Sequence, residues 1–102
     1  MITDKHVTRK HRELFSLLVE SATSLGIEII EDTINRRGGI CRLEDRLLVI
    51  YDANTSYQER NRLILKALSR IDLDSVYLPP KIRQLIAEHR DISGHHETQR
   101  DQ

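Results

Sequence analysis

The chain has 102 residues, 38% of them hydrophobic, which predicts a single domain with a modest core. Its sixteen lysine and arginine residues equal its sixteen aspartate and glutamate residues in number, so no net charge attracts nucleic acid or an anionic membrane. No apolar run approaches the roughly 18 residues that a membrane span requires, so we expect no membrane association.

The first predicted element is a long amphipathic helix from Asp4 to Ser24. Its apolar or amphipathic residues recur at steps of three and four, which places them on one helical face. They are Val7, His11, Leu14, Leu18, Ala22 and Leu25. Gly26 follows at the position of a left-handed helix cap. The pattern therefore predicts a helix that packs through one side.

Three short strands follow, and we predict that they form an antiparallel meander. The predicted strands are Ile27–Ile30, Ile40–Leu43 and Arg46–Tyr51. The polar loop Asp32–Gly39 separates the first two, and a tight turn at Glu44-Asp45 closes the second pair into a hairpin. The run from Leu47 to Tyr51 is the longest unbroken apolar run in the chain, which is typical of a strand buried on both faces.

Two further helices are predicted after the strands. Ser56-Tyr-Gln-Glu59 matches a capping box, in which two backbone donors at a helix start are satisfied reciprocally. The helix that it begins carries an apolar face of Ile64, Ala67, Leu68 and Ile71, while basic residues that include Arg60 occupy the rest. Prolines open a third helix at about Pro80 to Arg90. Its predicted buried stripe is Ile82, Leu85, Ile86 and His89.

These elements predict the fold class and the domain organisation. Residues 1–92 are expected to form a single α+β domain with an N-terminal helix, a three-stranded antiparallel meander and two C-terminal helices. From Ser93 to Gln102 the chain is polar and aperiodic, which predicts a disordered C-terminal tail.

No complete metal or catalytic motif is found in the sequence. His6 and His11 are five residues apart, so on a helix they point in different directions and cannot share a metal ion. His95-His96-Glu97 falls in the predicted tail, where no rigid site can be held. Because no dinucleotide, phosphate-loop or nucleophile motif occurs either, we assign no catalytic, cofactor-binding or metal-binding residue and expect no cofactor.

Cys41 is the single cysteine, so it cannot form an internal disulfide. A lone cysteine, together with an N-terminus that lacks an apolar signal region, indicates the cytoplasm. Because Cys41 lies in a predicted strand among apolar neighbours, we expect an inert buried thiol rather than a nucleophile.

Nucleic-acid binding has limited support in the sequence. Basic residues cluster in the first helix (Lys5, Arg9, Lys10 and Arg12) and recur in the second. The net charge of zero and the small number of aromatic residues argue against a nucleic-acid interface, since stacking of bases requires aromatic platforms. Nucleic acid is therefore an unfavoured partner.

Part of the chain resembles the ImmA/IrrE-type small zincin metallopeptidases. The resemblance lies in the order helix, three strands, helix, in Gly39-x-Cys-x-Leu, in Leu-Val-Ile-Tyr-Asp52 and in Tyr57-Gln-Glu-Arg-Asn-Arg-Leu63. It covers roughly residues 10 to 71 and implies a minimal zincin-like scaffold. The positions that correspond to the family's His-Glu-x-x-His motif are Ala67, Leu68 and Ile71, so no metal ligand or catalytic residue carries over. The chain is also similar to a group of small uncharacterised bacterial proteins that share the Gly-Gly hairpin and Leu78-Pro-Pro-x-x-Arg83.

The sequence thus predicts a non-enzymatic bacterial protein that acts through contacts with an unknown protein partner or through self-association. An enzyme of the zincin lineage with an unrecognised site and a nucleic-acid-associated accessory protein are the alternatives. We expect a homodimer, because the helices of a small sheet with two apolar faces can cover the second face only in part. The alternative is that the third helix and the loop Asp32–Arg37 cover that face within a single chain.

Strand register predicts which residues would lie at that dimer contact. If Leu43 opposes Arg46, one sheet face carries Ile40 with Leu47, Val49 and Tyr51, and the other carries Cys41 with Leu48 and Ile50. The candidate interface residues are Leu47, Val49 and Tyr51. Cys41, Leu48 and Ile50 take their place if the two faces are reversed.

Overall fold

A computed structural model describes residues 2–33 and 38–100, with residues 2–7 and 91–100 described in their backbone alone. The elements are helices α1 (Ile2–Ser24), α2 (Tyr57–Leu68) and α3 (Pro80–Arg100) and strands β1 (Glu28–Asp32), β2 (Gly39–Leu43) and β3 (Arg46–Asp52). The predicted α+β class, with one helix before the three strands and two after them, is confirmed. Within the described ranges, no helix has both the length and the apolar character needed to cross a bilayer.

The sheet is mixed, and this corrects one detail of the predicted meander. The strand order is β1-β3-β2, with β1 parallel to β3 and β2 antiparallel to it. The strand with the longest apolar run, β3, therefore takes the central position, where it has neighbours along both edges. A meander would have placed β2 there, although β2 contains Arg42 and is less apolar.

The predicted hairpin register is confirmed, with Leu43 opposite Arg46. Glu44, the first residue of the turn, has a positive φ of 57°. A two-residue hairpin loop favours this left-handed backbone because its twist matches that of the strands. With this register, alternate residues of β3 point to opposite faces of the sheet.

Helices α1 and α2 cover one face of the sheet and form the core with it. From the central strand, Leu47, Val49 and Tyr51 point into this core with at most 5% of their surface exposed. The remaining buried apolar residues come from α1, α2, α3 and the segments beside them: Leu18, Ala22, Ile27, Leu63, Ile64, Ala67, Leu68, Leu73, Leu78, Ile82 and Ile86. The apolar faces predicted for α2 and α3 are thus confirmed in their larger part, while Ile71 lies beyond the end of α2 and Leu85 and His89 are half-buried.

The start of α2 has the Ser56 half of the predicted capping box. Ser56 has an extended backbone, and its Oγ accepts a hydrogen bond of 3.2 Å from the backbone N–H of Glu59. This bond satisfies one of the free donors in the first turn. The helix therefore begins at Tyr57, directly after the loop that follows β3.

Helix α3 packs against α2, and two of its arginines bind the segment that connects the helices. Arg83 Nη2 donates to the carbonyl oxygens of Val76 (2.7 Å) and Leu73 (3.4 Å). Arg90 donates through Nε to Ser69 O (3.2 Å) and through Nη2 to Ile71 O (2.8 Å). Because these oxygens lie beyond the regular hydrogen bonds of α2, the arginines satisfy acceptors that would otherwise need water.

Several predicted boundaries differ from the structure, including those of the third helix and of the loop after β1. The backbone is helical through Arg100, which includes most of the Ser93–Gln102 segment predicted to be a disordered tail; Asp101 and Gln102 lie outside the described residues. The predicted loop Asp32–Gly39 is shorter, because β1 includes Asp32 and β2 begins at Gly39. Residues 34–37 of that loop also lie outside the described residues.

Candidate interaction surface

One face of the sheet carries apolar side chains and has no described helix packed across it. We term it the open face and define it by Ile30, Cys41, Leu48 and Ile50, which the strand pairing places side by side. Alternation along the strands directs these residues away from Val49 and Tyr51. Ile30, Leu48 and Ile50 are half-buried, and none of them joins the hydrophobic core.

The arrangement of the helices explains why this face is open. Helices α1 and α2 both pack on the opposite face, and α3 packs on α2. A third helix can shield the second face of a sheet only if the chain crosses to that side. Here the segment after α2 instead returns α3 to the helical layer, where Ile82 and Ile86 join the core.

The structure reverses the predicted faces. Leu47, Val49 and Tyr51, the candidate interface residues, are buried beneath the helices of the same chain and are not available to a second chain. The alternative set, Leu48 and Ile50 with Cys41, is the one on the open face. Sequence pattern could not decide between the two sets, because both are apolar and the helices could have packed on either side.

Cys41 is exposed, which corrects the prediction of a buried thiol. It lies at the middle of β2, which is an edge strand, and it points to the face that the helices do not cover. Apolar neighbours in the sequence bury a cysteine only if a second layer covers their face. The thiol is therefore open to solvent.

The charged groups beside the open face are of both signs. Arg46 Nη1 lies 3.7 Å from Glu28 Oε1 across the β1–β3 pair, and both side chains are about half exposed. An exposed pair at this distance contributes little to stability. The Arg46–Glu28 pair therefore leaves this border of the open face without net charge.

The most elaborate polar arrangement surrounds Arg60, near the ends of β1 and β3. The Arg60 guanidinium donates to Thr55 O (2.9 Å), to Ala53 O (2.9 Å) and to Glu31 Oε1 (3.1 Å). Its Cζ also lies 4.6–5.4 Å from the ring centres of three aromatic residues, Phe15, Tyr51 and Tyr57. The residue retains only 8% of its exposure.

The contacts of this cluster indicate a structural role. Burial raises the pKa of the Tyr51 hydroxyl, Arg60 opposes that effect and Glu31 adds to it. A tyrosine that acts as a general base needs the opposite, a lowered pKa. Because the guanidinium is engaged by two backbone carbonyls, a carboxylate and three rings, it joins the loop after β3 to α1, α2 and β1.

Sequence reasoning missed this cluster by placing Arg60 on the solvent side of α2. The signal was present in the helical spacing, since Tyr57, Arg60 and Asn61 precede Ile64 by seven, four and three residues. Those steps place all of them on the buried stripe. Asn61 is 4% exposed, and its Nδ2 donates to His11 O at 2.9 Å, while its Oδ1 has no described hydrogen-bond partner.

The residues that could serve metal binding, catalysis or base stacking are distributed over the fold and do not form one site. His11 and His89, which were predicted on the packed faces of their helices, are half-buried. No three His, Cys, Asp or Glu residues in the described part of the chain are grouped closely enough to hold a metal ion. Ala67 and Leu68, at which the resemblance to the zincins implied the first histidine and the glutamate of His-Glu-x-x-His, are fully buried in the core. Three of the aromatic residues surround Arg60, and Tyr77 is 83% exposed.

Comparisons of the chain with protein-family models, with curated proteins and with solved structures found no match.

Proposed function

We propose that this protein is a non-enzymatic domain that acts through protein contacts, and that the open face is the surface through which two copies associate. The observation that supports the proposal is the asymmetry of the sheet. One face is covered by α1 and α2, whereas Ile30, Leu48 and Ile50 lie on the face without a helix. Small monomeric domains seldom leave a contiguous apolar patch uncovered, and such patches commonly mark protein interfaces.

A second copy of the chain can bind this surface, because the charges do not repel a copy of the same surface. The Arg46–Glu28 pair leaves that end of the surface without net charge. The whole chain also has equal numbers of acidic and basic residues, so two copies do not repel each other at long range. A twofold contact requires a patch that accepts its own copy, and twofold dimers are the most common symmetric assemblies.

The proposal is tested by placing a charge at the centre of the open face. Ile50→Lys should weaken the dimer by about 30-fold or more in dissociation constant, because an unpaired charge in the middle of an interface costs on the order of 2 kcal/mol. The variant should remain folded, since Ile50 is not part of the hydrophobic core. Sedimentation equilibrium of the wild type and the variant gives the two constants.

Leu17→Lys is the matched control, because Leu17 is an exposed apolar residue on α1, away from the open face. It should leave the dissociation constant unchanged. If both variants associate as the wild type does, a different surface holds the dimer and the proposal is wrong.

A further inference from the structure

A second apolar surface lies between α1 and the segment that precedes α3. Three large apolar side chains are notably exposed in the part of the chain that is described: Leu17, Leu43 and Tyr77. Two of these, Leu17 and Tyr77, line the same groove with Leu78 and Pro79. The volume of the groove is about 190 Å³. A ligand site for a cofactor or drug-sized molecule is larger, about 300–1,000 Å³, so this groove suits one or two side chains.

The wall that carries Tyr77 is held in place by the rest of the fold. Val76, the preceding residue, has its carbonyl oxygen bound by Arg83 Nη2 at 2.7 Å. Leu78, the following residue, is 3% exposed and belongs to the core. The backbone of Tyr77 is therefore fixed on both sides while its ring is 83% exposed. A tyrosine side chain has only two torsions to restrict on binding, and tyrosine is enriched at binding hot spots.

The charges at the groove determine the kind of partner that it fits. Glu20 lines the groove and is exposed, and Ser21 adds a hydroxyl to the same wall. Of the residues that line the groove, Glu20 is the one that carries a charge. Lys81 and Arg83 follow the groove in α3 but do not line it, and Arg83 is directed to the carbonyl oxygens of Leu73 and Val76. The groove thus offers apolar walls with one carboxylate among them.

We propose that this groove is a docking site for a short segment of another protein, in which a large apolar side chain stands next to a lysine or arginine. The apolar side chain enters between Leu17 and Tyr77, and the basic group pairs with Glu20. This inference is independent of the proposed dimer, because the groove and the open face share no residue.

The probe for this site is a phage-displayed library of random 12-residue peptides, followed by isothermal titration of the selected peptides after synthesis. Selected peptides should be enriched in an apolar residue beside lysine or arginine. Their affinity should fall at least tenfold for Tyr77→Ala and for Glu20→Lys. Both side chains are exposed, so these variants should fold as the wild type does.

Ile50→Lys serves as the matched control, because it changes the open face and should leave peptide affinity unchanged. A selection without enrichment over background would overturn the proposal, as would peptides that bind Tyr77→Ala as tightly as the wild type. Loss of peptide binding in Ile50→Lys alone would place the peptide site on the open face. Loss of dimerisation in Tyr77→Ala would show that a second copy occupies the groove.

Discussion

The guanidinium carbon of Arg60 lies 4.6 Å from the centre of the Tyr51 ring, in a site where Arg60 is 8% exposed and Tyr51 is 3% exposed. A cation over an aromatic face is stabilised more strongly when both groups are withdrawn from water. Here the same guanidinium also binds the carbonyl oxygens of Ala53 and Thr55, which fixes the loop between β3 and α2. The cluster therefore connects the sheet to the helix that covers it.

Arg60→Ala should lower the free energy of unfolding by about 2–4 kcal/mol, because the two carbonyl oxygens lose their donor and the rings lose their cation. Arg60→Lys should recover little of this, since one ammonium cannot reproduce the three directed bonds of the guanidinium. Chemical denaturation of each variant measures the loss.

Arg62→Ala is the control for this substitution, because Arg62 lies two residues away on the same helix and forms an exposed pair with Glu59. An exposed pair of this kind contributes about 0.5 kcal/mol or less. Equal losses for the Arg60 and Arg62 variants would contradict the assignment of Arg60 as a structural residue.

The buried face of α2 gives a second prediction. Leu68→Asp should unfold the domain, since Leu68 is fully buried and a carboxylate there would have no partner. Lys66→Ala, two residues earlier on the exposed side, should change stability by about 0.5 kcal/mol or less. Melting temperatures of the two variants that are equal within error would show that the face assignment is wrong.

The approach of Gly38 to the central strand gives a third prediction. A Cβ added at Gly38 would lie 2.1 Å from Ile50 O and 2.8 Å from Tyr51 Cα, and backbone atoms cannot move aside as a side-chain tip can. Gly38→Ala should therefore lower the free energy of unfolding by about 3 kcal/mol or more. The midpoint of urea denaturation measures this change.

Gly39→Ala is the matched control, because a Cβ at this neighbouring position would meet no atom within 4 Å. Its effect should be within about 1 kcal/mol, and replacing a glycine in a strand can even stabilise the fold slightly. Similar losses for the Gly38 and Gly39 variants would show that general flexibility of the segment, and not the close approach to Ile50, sets the requirement for glycine.

Much of the fold could be predicted from local sequence pattern. The remainder depended on contacts between residues that are far apart in the sequence. Periodicity predicted the stripes of α2 and α3. The run from Leu47 to Tyr51 correctly predicted a strand, but that strand is buried on one face and not on both, because Leu48 and Ile50 lie on the open face. Strand order could not be read in the same way, since a meander and the observed β1-β3-β2 order satisfy the same local preferences. The mixed sheet differs from the meander in that its most apolar strand is central.

The sequence also did not predict which face of the sheet the helices cover. The alternation of β3 correctly separated its residues into two sets, but both sets are apolar, so the pattern gave no reason for the helices to choose one of them. Cys41 was misplaced for this reason. Arg60 was misplaced because its charge was given more weight than its spacing, although a buried arginine is tolerated where all of its donors find partners.

His89 gives a prediction about pH. Burial is the main cause that lowers the pKa of His89 below 6.5, and Arg62 and Lys66 of α2 lower it further. The unfolded chain therefore binds a proton at this site more readily than the folded chain does. As pH falls below 6.5 and through the lower pKa of the folded state, the difference in proton binding destabilises the fold.

His89→Gln removes this titration while retaining a polar side chain. Between about pH 7.5 and about pH 5.5, the wild type should lose more stability than the variant, because titration of the remaining groups is common to both. Urea denaturation at the two pH values measures the difference. Parallel losses in the two proteins would show that His89 does not couple proton binding to the packing of α3 on α2.

The mass of the protein in solution, measured by light scattering across a range of concentrations up to tens of micromolar, tests the central claim most directly. If Ile30, Leu48 and Ile50 form the contact between two copies, the mass should rise with concentration to twice that of a single chain. A mass of one chain that stays constant over the whole range would contradict self-association through the open face.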